Sequence, residues 1–430
     1  MSLINEQVDH INGLSLHTIS TPKFKTNTIV LKLLAPLRKE DVTFRALLPY
    51  VLQRGTKSFP SSTSLRQYLD SLYGATLHVD LSKKGENHII TFRMEVANEK
   101  FLSDSTPLLE KAVKLLSEIL LSPLTDHDAF NQEIVSQEKR TLKQRIQSVY
   151  DDKMRYSNLR LVQEMCKEEP YALHVNGEIE DVDAITATSL MDYYKKSLET
   201  DKIDLYVVGD IEQELVKKHV SQYFQITKQE YSVSSSKQLD VDKATAVKEK
   251  EVIEEQDVKQ GKLNIGFRTN VTYQDDNYYA LQVFNGIFGG FSHSKLFINV
   301  REKASLAYYA ASRVESHKGL LMVMSGIEFQ NFDQAVTIIK EQMQAMKNGD
   351  FSEEEFLQTK AVIRNQLLET IDTAYGLVEI IYHNVISLID RTFEEYLDGI
   401  ENVTPDQVRE VASKIELDTV YFLKGKGDQS

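Results

Sequence analysis

Apolar residues recur along this chain in two rhythms, and the way these alternate sets the expected fold. Residues 28–34, 89–96 and 203–209 are short runs dense in aliphatic and β-branched side chains, and they read as strands. Residues 64–73 carry apolar side chains at helical spacing and stop at Gly74, which suits the left-handed turn after a helix. Residues 108–121 keep that period until Pro123. A long charged helix is then predicted through Phe130, Ile134, Glu138, Leu142 and Ile146, with Asp126 or Asp128 as its cap.

The second half repeats this order. Strands are expected at 263–268 and 320–327, with helices at 277–287 and 332–346. Phe351-Ser-Glu-Glu-Glu-Phe opens a charged helix through Leu368, just as residues 124–130 open one earlier. Thr404-Pro-Asp-Gln-Val starts a helix before the strand 419–425, as Thr186-Ala-Thr-Ser-Leu does before 205–209. Two copies of one α+β unit are the economical account. Each is expected to be a mostly antiparallel sheet with helices packed on one face. The predicted boundaries are a first unit over 1–230, a polar linker over 231–257 and a second unit over 258–430. The linker holds a serine run, many Lys, Glu and Asp residues and little that is apolar before Val252, with room for a strand from near Val247.

A chain of 430 residues is too long for a single core. With 41% hydrophobic and 27% charged residues it has the composition of a soluble globular protein. A formal charge of −14 argues against nucleic acid as a partner, because phosphate contacts need clustered Lys and Arg. The first ten residues show neither a basic start nor an apolar core, and no run is long enough to span a bilayer, so a cytoplasmic location is expected. The single cysteine, Cys166, sits near Leu161, Val162 and Met165 and reads as packing.

The most informative stretch is 283–312. Gly286, Gly289 and Gly290 interrupt an apolar run, and Ser292 and Ser294 offer N-caps. Leu296, Phe297 and Val300 recur at helical spacing before the chain turns strand-like at Leu306. Arg301 would lie in the last turn of the helix and Tyr308 near the start of the strand. That would bring a guanidinium and a phenol to one surface, both of them donors suited to a carbonyl oxygen. The pattern Gly-Gly, Ser-x-Leu-Phe, Arg-Glu-Lys-x-x-Leu-Ala-Tyr resembles the C-terminal half of the pitrilysin, insulinase and mitochondrial-processing-peptidase family of zinc peptidases. The resemblance implies that Arg301 and Tyr308 contact a peptide near its scissile bond.

In that family the first domain carries an inverted zinc motif, His-x-x-Glu-His, just before a Gly-Thr turn. Here the turn is Gly55-Thr56, and counting back puts Ala46 and Tyr50 at the two histidines and Pro49 at the glutamate. Two imidazoles one helical turn apart hold the ion and the glutamate acts on its water; Ala46 and Pro49 offer no donor atom. Aligning Glu138-Lys139-Arg140 with the family's Glu-Lys start places Arg145 at the third ligand, a glutamate in active members. A guanidinium about 4 Å from a divalent ion costs roughly 8 kcal/mol of repulsion at an effective dielectric near 20. No metal is therefore expected in this chain. The ten histidines include no pair spaced by four, and His78 facing His88 across a hairpin is a remote alternative. Gly290-Phe-Ser-His-Ser294 falls one glycine short of a nucleophile elbow, no phosphate loop is present, and Asp151-Asp152 reads as a solvated face.

The resemblance then implies a division of labour. Some members of the family work as two chains around a closed clamshell chamber, one bearing zinc and the other supplying the Arg and the Tyr. This chain lacks the first set and keeps the second. The expectation is a non-catalytic subunit that pairs with a zinc-bearing paralogue and holds a peptide or unfolded polypeptide through Arg301 and Tyr308. The run 138–153 is also similar to a Bacillus type of metal-less member associated with 5-aminopentanol modification of elongation factor P, so a link to that modification is a further expectation. The alternative is a scaffold that keeps the fold for assembly and never touches substrate.

Overall fold

A computed structural model describes residues 3–104, 106–226 and 249–426. Its strands, in chain order, are β1 (Glu6–Ile11), β2 (Leu14–Ser20), β3 (Thr26–Pro36), β4 (Thr76–Lys84), β5 (Asn87–Ala97), β6 (Thr125–Asp126), β7 (Ala129–Phe130), β8 (Lys202–Gly209), β9 (Lys250–Gln256), β10 (Gly261–Arg268), β11 (Ala307–Glu315), β12 (Leu320–Ile327) and β13 (Glu416–Gly425). One sheet runs β1-β2-β8-β3-β5-β4 and the other β11-β12-β10-β13-β9. Read from β4, the first gives β4-β5-β3-β8-β2, which is the second sheet strand for strand, with β1 as an addition. The pairings match as well. Only β2 with β8 and β9 with β13 are parallel among the described strands. The predicted duplication and the α+β, mostly antiparallel architecture are therefore present.

Alternation along the strands gives each sheet two apolar faces. In β3, Ile29, Leu31 and Leu33 join the core of the first half, where they meet the helices Lys39–Leu52, Leu108–Leu121 and Ala187–Thr200. Val30 and Leu34 point the other way, together with Tyr206 and Val208 of β8, and are covered by Leu377, Val378, Ile381 and Tyr382. Those four residues belong to the helix Ala374–Ser387 of the second half. The reverse exchange occurs on the other sheet. There Leu161, Val162, Met165 and Cys166, from the helix Lys153–Met165 and its C-cap, pack on Leu320, Met322, Tyr421 and Leu423. Each half thus lends the other the helix that covers its second face, in addition to the helices packed on its own side. Cys166 is fully buried in this contact, and burial pushes its thiol up to about 11, consistent with a packing role.

Two equivalent hairpins also meet tip to tip. The Gly85 amide, at the β4–β5 turn, donates to Glu315 Oε1 at 3.2 Å, and Lys318 of the β11–β12 turn pairs with Glu86 and Glu169. Beneath them His317 Nε2 lies 2.6 Å from Nδ1 of His383 on the exchanged helix, and both rings stack on Tyr273.

Several expectations are adjusted. The strand anticipated near Val247 runs from Lys250 to Gln256, inside the span read as linker; residues 231–248 of that span lie outside the described residues. Its inward row is mostly polar and is satisfied by hydrogen bonds, Glu254 receiving the hydroxyls of Tyr156 and Tyr421 (2.9 Å for the latter), so it lacks an apolar signature. The cap of the helix Gln132–Asp151 is Asn131, whose Oδ1 accepts from Ile134 N at 3.0 Å, while residues 125–130 form the β6–β7 ribbon and Asp126 holds the Asn131 amide. Asp152 is a cap too, accepting from the Met154 and Arg155 amides at 3.0 and 3.1 Å. His88 faces Lys83 across its hairpin and His78 faces Arg93, so the two imidazoles are not opposite.

Tyr206 and Tyr382 are both fully buried, their rings meeting edge to face at 6.1 Å, and neither hydroxyl has a hydrogen-bond partner among the described residues. A buried unsatisfied hydroxyl costs about 1–3 kcal/mol. Tyr206→Phe and Tyr382→Phe are each expected to raise the urea midpoint, by about 1 kcal/mol of stability; a lower midpoint in both variants would show that the hydroxyls are paired in solution.

Candidate functional site

The helix Lys39–Leu52, which carries the lost motif, is pinned from its buried side. The Arg45 guanidinium pairs with Asp201, donates to Tyr193 Oη at 3.2 Å and reaches the carbonyls of Leu33 and His88 at 3.0 and 3.2 Å. Such a charge is tolerable in the core because both terminal nitrogens of the guanidinium are partnered and Asp201 supplies the counter-charge. Ala46, fully buried, belongs to the apolar cluster of the first half, and Pro49 sits inside the last turn without an N–H to give back to Arg45.

Tyr50 and Arg145 are brought together. The guanidinium of Arg145, on the helix Gln132–Asp151, lies over the Tyr50 ring with Cζ 3.3 Å from its centroid. Burial raises the Tyr50 pKa, with the nearby Arg145 charge acting against it. Glu138, two turns earlier on the same helix, is 2% exposed; Arg54 binds it directly, and Arg145 Nη2 stands 4.0 Å from its other oxygen. A carboxylate clamped by two guanidiniums, with a tyrosine stacked on one of them, joins the two helices at the positions the resemblance assigns to the metal. The Arg54–Glu138 ion pair escaped sequence reasoning, although Glu138 shares a buried stripe with Val135, Leu142 and Ile146, and a charge on such a stripe is the signal.

Zinc does not fit here. The position of its third ligand is a cation, that cation is committed to an aromatic face and a carboxylate, and no three His, Cys, Asp or Glu side chains gather around a metal-sized space among the described residues. Metal analysis of the purified chain is expected to find no stoichiometric zinc. The combined exchange Ala46→His, Pro49→Glu and Tyr50→His is expected to create no tight site while Arg145 stays; stoichiometric zinc in either protein would overturn this account.

Arg301 and Tyr308 stand on the second half. Ser294 Oγ accepts from the Phe297 amide at 3.4 Å where the helical turns begin, and the segment Phe297–Lys303 is wound as a π-helix that places Arg301 in its last turn. The π-helical winding also follows the helix Tyr278–Asn285, over Gly286–Gly290, so the expected helix 277–287 changes its winding at Gly286. The Arg301 side chain is 42% exposed, lies over the Phe297 ring at 4.5 Å and comes within 3.6 Å of Glu302. Ser305, with φ of 52°, turns the chain into β11. There the pairing with β12 slips between Ala307 and Ala310, two residues of β11 spanning one of β12. Such a bulge re-aims side chains on an edge strand. Tyr308 is accordingly 73% exposed, whereas Tyr309 lies against Gly326. Arg301 and Tyr308 are not hydrogen-bonded to one another. Both are accessible, and the helix carrying Arg145 ends at Asp152, whose charge bears on Tyr309.

The comparisons with known proteins agree with this geometry. Residues 184–363 match the family described as Peptidase M16 inactive domain. The chain is 60% identical over 425 residues to the probable inactive metalloprotease YmfF of Bacillus subtilis, covering 99% of each. It is 23% identical to the mitochondrial-processing peptidase subunit beta of Saccharomyces cerevisiae, over 92% of this chain and 85% of that one. Among solved structures, a conserved protein from Enterococcus faecalis superposes with a TM-score of 0.88 at 33% identity, covering 99% of this chain and all of the other.

Proposed function

The chain belongs to the M16 peptidase family as an inactive member, and from that premise we propose that it is the non-catalytic subunit of a two-chain zinc peptidase. It pairs with a zinc-bearing paralogue to close a chamber and presents Arg301 and Tyr308 to a peptide or unfolded polypeptide held there. The observation that carries this reading is the contrast between the two halves. Tyr50 and Arg145, at two of the metal positions, are tied up with Glu138 and Arg54, while Tyr308 stands at a bulge of β11 and is exposed to solvent. A scaffold would gain nothing from keeping both this tyrosine and this arginine exposed. A wall that orients an extended peptide need not be the wall that attacks it, since holding the reactant in place is itself a large part of catalysis. That a yeast relative is itself a peptidase subunit supports the two-chain arrangement.

The reading places the protein in the cytoplasm, in keeping with the lack of any helix among the described residues long and apolar enough to cross a membrane. A part in modifying elongation factor P belongs to the same proposal, since that modification is where the resemblance over 138–153 leads. The test is copurification. The tagged chain should bring down a partner containing His-x-x-Glu-His, and mixing the two should produce peptidase activity that neither has alone. Stable pairing without any gain in activity would favour the scaffold reading.

A further inference from the structure

The geometry points to a subsite for a carboxamide side chain, that of a Gln or Asn residue of the bound peptide, in the cleft beside β11; this rests on the peptide-holding role proposed above. The cleft, of about 350 Å³, lies between β11 and the helices Tyr278–Asn285 and Glu353–Thr370. Gln282, Asn285 and Gln366 line it, and no acidic residue does. Asn285 Oδ1 accepts the Ser312 hydroxyl at 2.8 Å, and among the described residues its amide N–H₂ and the side chains of Gln282 and Gln366 have no hydrogen-bond partner. Arg313 borders the cleft, but side chains alternate along a strand. Ser312 faces Asn285, so the Arg313 guanidinium lies on the opposite face, where its charge acts on Tyr171 and Glu315. The lining is thus neutral and offers both donors and acceptors. A carboxylate would enter without a counter-charge and an aliphatic side chain would leave the amides unpaired, whereas a carboxamide satisfies both sets.

Position adds a register. β11 is an edge strand whose outer backbone groups are open, and Tyr308 lies four or five residues before Ser312 and Arg313 on it. At about 3.3 Å per residue this is roughly 13 to 17 Å. An extended peptide contacting Tyr308 therefore places the side chain four or five residues away at the cleft.

The probes are fluorescein-labelled decapeptides of an Ala/Ser host with one Gln, Glu or Leu, titrated against the full-length chain by anisotropy. The Gln peptides are expected to bind about tenfold or more tightly than the Glu and Leu peptides. A benzophenone four or five residues from the Gln should label the Tyr308 bulge. In the Gln282→Leu/Gln366→Leu variant the preference should vanish while the Leu peptide binds as before; Gln366 is exposed, and unchanged circular dichroism checks the fold. Equal binding of all three peptides, or a preference that survives in the variant, overturns the subsite and leaves the peptide-holding role standing. Absence of binding by every peptide overturns both.

Discussion

Arg301→Ala and Tyr308→Phe are each expected to slow the reconstituted two-chain peptidase roughly 100-fold or more, since removing one oxyanion donor typically costs about 2.7 to 4 kcal/mol of transition-state stabilisation. The melting temperature of the isolated chain should not move. Arg301, 42% exposed, contacts Phe297 and Glu302 of its own turn, and Tyr308 is 73% exposed, so neither substitution opens a cavity in the core. The contrast between a large kinetic effect and a silent thermal one is what a substrate-facing pair produces and a packing pair does not. Turnover unchanged in both variants would return the protein to the scaffold reading.

The second large effect concerns acid. Burial depresses His88 to about 3, with the Arg45 and Lys83 charges adding to it, and His174 to about 4, with Lys83 adding. Burial likewise holds His317 at about 3, Lys84 contributing, and pushes its partner His383 well below its usual value. An imidazole whose folded pKa lies below its unfolded value near 6.5 binds its proton more readily in the unfolded chain, so stability falls as pH drops from about 6.5 towards 3. At pH 5 that is about 2 kcal/mol for each such ring, or about 6 kcal/mol with the His317–His383 pair counted once. His17 works the other way. Burial disfavours its charged form, but the hydrogen bonds to Asp204 and Glu6 outweigh burial and raise its pKa, so it contributes stability as it protonates. The net expectation is a loss of several kcal/mol between pH 7 and pH 5, seen as a fall in melting temperature of about 5 °C. Equal melting temperatures at the two pH values would show that these rings are solvated.

Much of this fold could be read from periodicity. The helix over 108–121 begins and ends at the predicted residues, Thr404 and Thr186 cap the helices they were expected to open, and the duplicated order became a duplicated sheet. Periodicity shows that a helix has an apolar stripe and is silent about what the stripe meets. Residues 153–165 and 374–387 therefore gave no hint that each would lie on the other half's sheet. β9 was obscured because its inward residues are bonded to Tyr156, Arg160 and Tyr421 in place of apolar packing.

The site was legible in a similar part. Spacing singled out Arg301 and Tyr308 as candidates, and the resemblance implied that positions 46, 49 and 50 had lost a donor set. That the guanidinium of Arg145 would settle on the Tyr50 ring depends on two helices crossing at that point. The His317–His383 contact joins residues 66 apart on different elements. No local pattern encodes either.

The traded helices decide what can be inherited or engineered as a module. A hybrid that takes residues up to the polar span from one homologue and the remainder from another would cap both sheets with foreign surfaces, and the mismatches would fall at Val208 against Tyr382 and at Met165 against Gly266. The transferable piece is a sheet together with the helix it borrows, which is discontinuous in the gene. Recombination at the apparent midpoint should therefore be poorly tolerated, while the two fragments, produced side by side from one parent, should find each other and reassemble.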